Sequence, residues 1–189
     1  MPTLQVLVAS TRPGRVGSTV GRWFAGVARD HGRFDVELVE LADVGLPFLD
    51  EPKHPRLREY EKDHTRRWSE TVERADAFAF VMPEYNHGYS APLKNAIDFL
   101  WHEWNDKPVA LVSYGGVSGG LRAAQALKPV LSAVKLQLAA EVPIPFVHDR
   151  VQDGTLEENP AMRDGAEGAL DELARLVSLL APARTGALG

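Results

Sequence analysis

Short apolar runs alternate with longer amphipathic stretches along the whole chain, and this alternation constrains the fold more than any other feature. It is the pattern of a parallel sheet with helices on both faces, because strands buried on both sides read as near-continuous apolar runs. Leu4 to Ala9, Val36 to Leu41, Ala77 to Met82, Pro108 to Tyr114 and Leu136 to Val142 read as five strands. Helical spacing is expected over Ser18 to His31, Leu57 to Arg74, from near Ala91, through about Val134, and over Met162 to Leu180. Leu57, Tyr60, Trp68 and Val72 form the stripe of the second helix, and Pro129 would kink the fourth. Asp43 to Pro55 carries three prolines and a glycine and reads as a loop, and Asp149 to Pro160 as a turn-rich crossing. The expectation is one doubly wound α/β domain over 1–181, five-stranded, strand order 2-1-3-4-5, with 182–189 as a frayed tail.

A chain of 189 residues buries about 70% of the surface its unfolded form exposes, so one core suffices. The formal charge of -5 gives no electrostatic reason to expect nucleic acid or an anionic membrane as partner. With no cysteine there is no thiolate chemistry, so redox activity requires a bound cofactor. The histidines at 31, 54, 64, 87, 102 and 148 show no metal-ligand pairing at helical spacing, and no metal is expected. The start lacks secretory features and no apolar run reaches the roughly 18 residues of a membrane span, so a cytoplasmic protein is expected.

Three loops follow strands that are neighbours in this strand order. The first, Ser10 to Thr19, holds hydroxyls, Arg12, Arg15 and glycines just before a helix start. Helix N–H groups, hydroxyls and a guanidinium fork together suit a phosphate monoester. The competing reading is that Ser18 or Thr19 only caps the helix. Neither G-x-G-x-x-G nor G-x-x-x-x-G-K-[ST] occurs here, which favours a mononucleotide over a dinucleotide or a triphosphate. The second loop, Pro83-Glu84-Tyr85-Asn86, stops a strand in rigid polar chain that can face a flat heteroaromatic ligand; a plain polar turn competes. In the third, Ser113, Tyr114, Gly115 and Gly116 let a planar ring lie close to main chain, although a turn needing positive φ explains the glycines equally well.

The segments ASTRPGRVGS (9–18), PEYN (83–86), LKNAID (93–98) and VSYGGVSGG (112–120) occur in an order that resembles the NADPH-dependent FMN reductase family, flavodoxin-like NAD(P)H-dependent flavin and quinone reductases. The resemblance implies FMN as cofactor, with its phosphate at Ser10, Thr11, Arg12, Ser18, Thr19 and Val20. It places the isoalloxazine against Pro83, Glu84, Tyr85 and Asn86, with Ser113, Gly115 and Gly116 at its other side. It further implies hydride transfer from NADPH or NADH to the flavin N5, then ping-pong transfer to a quinone, free flavin or similar small acceptor, with no obligatory catalytic side chain. Lys94, Asn95 and Asp98 read as packing or subunit contact, and the family implies a homodimer or homotetramer. Arg15 and Arg22 are candidates for the 2′-phosphate of NADPH, against plain solvation, and Trp101 and Trp104 for a dimer face, against internal packing. Two other classes remain open: an FMN electron carrier that accepts no hydride, and a flavin-free module on the same fold. A serine hydrolase lacks its G-x-S-x-G elbow.

Overall fold

The computed structural model describes residues 1–184. Its main sheet is five-stranded and parallel, in the order β2-β1-β3-β4-β5. The strands are β1 (Thr3–Val8), β2 (Asp35–Glu40), β3 (Ala77–Pro83), β4 (Pro108–Tyr114) and β5 (Gln137–Ile144). The helices are α1 (Gly17–His31), α2 (Leu41–Val44), α3 (Asp63–Glu73), α4 (Ala91–Asp98), α5 (Leu121–Ala133) and α6 (Pro160–Arg184). The expected flavodoxin-like order is therefore the observed one.

Side-chain alternation in β3 shows how the layers are built. Ala77, Ala79 and Val81 face α1 and α6, whereas Phe78, Phe80 and Met82 face α3, α4 and α5. Small residues on one side let α1 approach closely; large ones on the other fill the space under three helices. Trp104 is fully buried among Trp68, Phe78 and Phe80, with its indole N–H on Ile97 O at 3.1 Å. Trp101 lies under the Arg56 guanidinium, 3.8 Å from its ring centre. Internal packing thus accounts for Trp104.

Several boundaries differ from expectation. A short 3-10 helix over Pro55–Leu57 ends at Arg58, and residues 58–62 are not helical, because Glu51 accepts the backbone N–H of Glu61 and Lys62 at 2.9 and 3.0 Å and fixes the chain ahead of α3. Leu57 is consequently exposed while Trp68 and Val72 are buried. The first four residues after β2 form α2, and the crossing after β5 contains a small antiparallel ribbon, β6 (Val151–Gln152) with β7 (Thr155–Leu156). Six α-helices and seven strands thus stand where five of each were expected, among the described residues. Helix α6 continues to Arg184; the rest of the tail expectation, 185–189, lies outside the described residues. No helix among the described residues is long and apolar enough to cross a membrane.

Candidate functional site

The three loops meet at the carboxyl edge of β1, β3 and β4, which are adjacent in the sheet. Their main chains are tied together: Ala9 N–H donates to Val81 O at 2.9 Å and Glu84 N–H to Tyr114 O at 3.1 Å. Ser90, buried after the second loop, donates its hydroxyl to Ala9 O at 3.1 Å. The loops therefore hold fixed positions relative to one another.

In the first loop, Arg15 N–H bonds Arg12 O at 3.2 Å across Pro13-Gly14, with Gly14 at φ 69°. Proline followed by a positive-φ residue is the type II turn combination, which calls for glycine at the second place. The turn leaves Thr11 and Arg12 exposed, and Arg12 makes no ion pair among the described residues. Helix α1 then begins without a side-chain cap. The first amides bonded into it are those of Thr19 and Val20, both on Val16 O at 3.0 and 3.1 Å, so the Gly17 and Ser18 amides precede the helical ladder. A Cβ on Gly17 would lie 2.6 Å from Tyr114 Oη, so only glycine lets the helix start sit over this phenol. Burial pushes the Tyr114 phenol up, which keeps it protonated.

The second loop closes as a two-residue hairpin. Tyr85 and Gly88 exchange N–H to carbonyl bonds of 2.9 and 3.0 Å, and Asn86 and His87 have φ of 50° and 66°, as in a type I′ turn. Tyr85 Oη lies 2.8 Å from Ser10 Oγ, which joins the first and second loops. Glu84 turns away from the crevice. It accepts from the Ser118 hydroxyl at 3.0 Å, from Arg122 N–H at 3.1 Å and from Arg122 Nη1 at 2.9 Å, and is 8% exposed. Burial raises its pKa, but the Arg122 and Ser118 hydrogen bonds outweigh that and hold it below the ordinary value, so it is an anion.

The sequence-selected residues thus divide by what they offer. Thr11, Arg12 and the amides of Gly17 and Ser18 present free donors, and Pro83, Asn86, Gly115 and Gly116 line the edge. Ser10, Thr19, Val20, Glu84 and Ser113 act as supports: Ser10 and Ser113 are fully buried, Ser113 donates to Gly119 O at 2.8 Å, and Thr19 accepts from Arg22. Arg15 pairs with Glu40 and Arg22 reaches Thr19 and Gly154 O, so neither stands free for a second phosphate. Glu40, Ser90 and Arg122 were not found by sequence reasoning, and Tyr114, selected there for its main chain, contributes its phenol under the start of α1. Glu40 was within reach of it, since it is the last residue of a strand at the ligand edge. Among the described residues no group of three or more His, Cys, Asp or Glu could hold a metal.

The donor set fits FMN: an uncapped helix start and an unpaired arginine suit the phosphate, and a glycine edge beside a rigid hairpin suits a ring. Beside the first loop lies a cleft of about 490 Å³ between α2 and α4, lined by Thr11, Leu41, Pro47, Phe48, Pro92 and Asn95 among others. Asn95 shapes it by donating to Pro47 O at 2.7 Å and accepting Leu49 N–H at 3.0 Å.

The chain matches the family model described as NADPH-dependent FMN reductase over residues 2–149. It is 39% identical over 159 residues to an NAD(P)H-dependent FMN reductase of Schizosaccharomyces pombe, covering 82% of this chain and 79% of that one. It is 33% identical to an NAD(P)H-dependent FMN reductase of a Nectria species, covering 94% and 98%. Its fold superposes with a TM-score of 0.73 on FerB, a flavoenzyme NAD(P)H:(acceptor) oxidoreductase from Paracoccus denitrificans, at 23% identity and covering 95% and 98% of the two chains. The chain belongs to the NADPH-dependent FMN reductase family, and it is an NAD(P)H-dependent flavin oxidoreductase.

Proposed function

We propose that the crevice at the β1, β3 and β4 edge holds FMN and that electrons pass in ping-pong order from NAD(P)H to a small acceptor such as a quinone or free flavin. The observation that carries this reading is the uncapped start of α1 beside the unpaired Arg12, opposite the rigid Tyr85 to Gly88 hairpin. Arg12, Thr11 and the amides of Gly17 and Ser18 would hold the phosphate, with Ser10, Thr19 and Val20 fixing the shape of the loop. Pro83, Tyr85 and Asn86 would bound one side of the ring and Gly115 and Gly116 the other, with Glu84 and Ser113 holding those loops in place. Bound FMN supplies the hydride acceptance and electron release that no side chain here provides. The protein's part is to bind, orient and leave one face open to donor and acceptor in turn.

The same reading covers a single domain over 1–181 working in the cytoplasm, where nicotinamide donors are held. It also includes assembly as a homodimer or homotetramer. Phe48, 87% exposed, lines the cleft described above, and Leu49 lines a second cleft on the other side of α4 with His54, Trp101 and Val130, an apolar stretch suited to a second copy. Anaerobic mixing of the FMN-loaded protein with NADPH, and separately with NADH, tests the proposal. Rapid bleaching of the flavin band, with recovery on adding a quinone, is expected. Bound flavin that does not bleach would move the protein to the electron-carrier class.

A further inference from the structure

Glu40, the last residue of β2, ends against the start of α1, and the reading above gives it no part. Its carboxylate accepts from Arg15 Nε at 3.2 Å and Nη2 at 2.5 Å, and from the Ser18 hydroxyl at 2.9 Å. The side chain is 15% exposed. Burial raises its pKa, but hydrogen bonds from Arg15 and Ser18 outweigh burial and hold it below the ordinary carboxylate value. Arg22 attracts it from α1, and Asp43 on α2 acts on Arg15 from the other side. An anion therefore sits at the mouth of the loop, held by two of the loop's own donors.

This has a chemical consequence for a phosphate arriving at the Gly17 and Ser18 amides. The single proton of the Ser18 hydroxyl is already directed at Glu40, so that hydroxyl can only accept until it lets go. The Arg15 charge is likewise already paired. A phosphate monoester carries about -1.5 to -2 charges at neutral pH, and the Glu40 carboxylate lies 2.9 Å from the hydroxyl of Ser18 in the first turn of α1. Like charges brought together at that helix start repel, and the partial burial of Glu40, 15% exposed, reduces the solvent screening of the repulsion.

We infer that Glu40 is a built-in competitor for the flavin phosphate: it contends with FMN for Ser18 and Arg15 and makes the cofactor exchangeable. The inference rests on the FMN reading of the crevice. Recognition of the ring is untouched by it, since among the described residues the Glu40 carboxylate bonds only Arg15 and Ser18 and reaches the third loop only through the charge it presents to the Tyr114 phenol. The opposite role, in which Glu40 merely arranges Arg15 and Ser18 for the phosphate, predicts an effect of opposite sign.

Dissociation constants for FMN and for riboflavin, which lacks the phosphate, decide the matter in the wild type, Glu40→Gln and Glu40→Asp. Glu40→Gln is expected to tighten FMN by roughly threefold or more and to slow its release, with riboflavin unchanged. Glu40→Asp keeps the charge but draws it back by one methylene, so a smaller tightening is expected; it decides the sign if the amide variant folds poorly. Unchanged or weaker FMN binding in the variants overturns the inference, as does an equal change for riboflavin. A wild type that binds neither ligand overturns it together with the flavin reading, and needs no variant to be recognised.

Discussion

Two helices start at the same edge of the sheet, and the protein treats them in opposite ways. At α5, the loop after β3 sends the Glu84 carboxylate onto the Arg122 amide and guanidinium and the Ser118 hydroxyl, so an internal anion occupies the helix start. At α1 no side chain caps the amides, and the nearby carboxylate of Glu40 engages only the side chains of Arg15 and Ser18. A helix start is a ready anion site through its free N–H groups and partial positive charge. The difference teaches that of these two starts only α1 leaves its first amides without a side-chain partner among the described residues. The start of α5 is used to lock the β3 and β4 loops into one wall.

Closing the open start should have the largest effect. Gly17→Ala would place a methyl 2.6 Å from Tyr114 Oη and 3.2 Å from Val8 Cγ1. Overpacking of this kind costs about 3 kcal/mol. The denaturation midpoint should fall accordingly, with FMN binding lost ahead of riboflavin binding. A Gly17→Ala protein of wild-type stability would show that the fit over Tyr114 is loose.

Unlocking the occupied start should matter less. Glu84→Gln removes the charge facing Arg122, which is half exposed, so solvent reduces the loss to about 1.5 kcal/mol. The pH dependence has a definite sign. Glu84 has a lowered folded pKa, so its contribution is fully present above the ordinary value of 4.5 and is lost as pH falls through the folded one. The stability gap between wild type and Glu84→Gln should therefore shrink on acidification below 4.5. A gap that widened there would contradict an ionised Glu84. The smallest effect is expected for Ser113→Ala, which removes one buried hydrogen bond to Gly119 O. It should cost about 1 kcal/mol and leave FMN affinity unchanged; a large loss of affinity would place Ser113 in the binding surface.

The layers were legible in the sequence because they follow from period and burial. Strand β4 coincides with the run Pro108 to Tyr114, buried on both faces throughout. The early start expected for α3 failed because Leu57 and Tyr60 fall on a helical stripe by chance, while Glu51, ten residues upstream, holds the Glu61 amide. Periodicity cannot register a carboxylate that replaces the helix's own hydrogen bonds. The site divides in the same way. Its loops were visible as punctuation after strands, but the direction of Glu84 was not, since Arg122 lies 38 residues away and only the β3 and β4 pairing brings them together. Ser113 reads as a crevice hydroxyl in sequence, yet the chain returns at Gly119 to take it.

The most direct test of the open start is the affinity of Arg12→Ala for FMN and for riboflavin, measured side by side with the wild type. Loss of a charge-assisted bond to phosphate should weaken FMN by about tenfold or more, with riboflavin binding unchanged and the gap between the two ligands nearly closed. Unaltered FMN affinity, or an equal loss for both ligands, would contradict the assignment of the phosphate to α1.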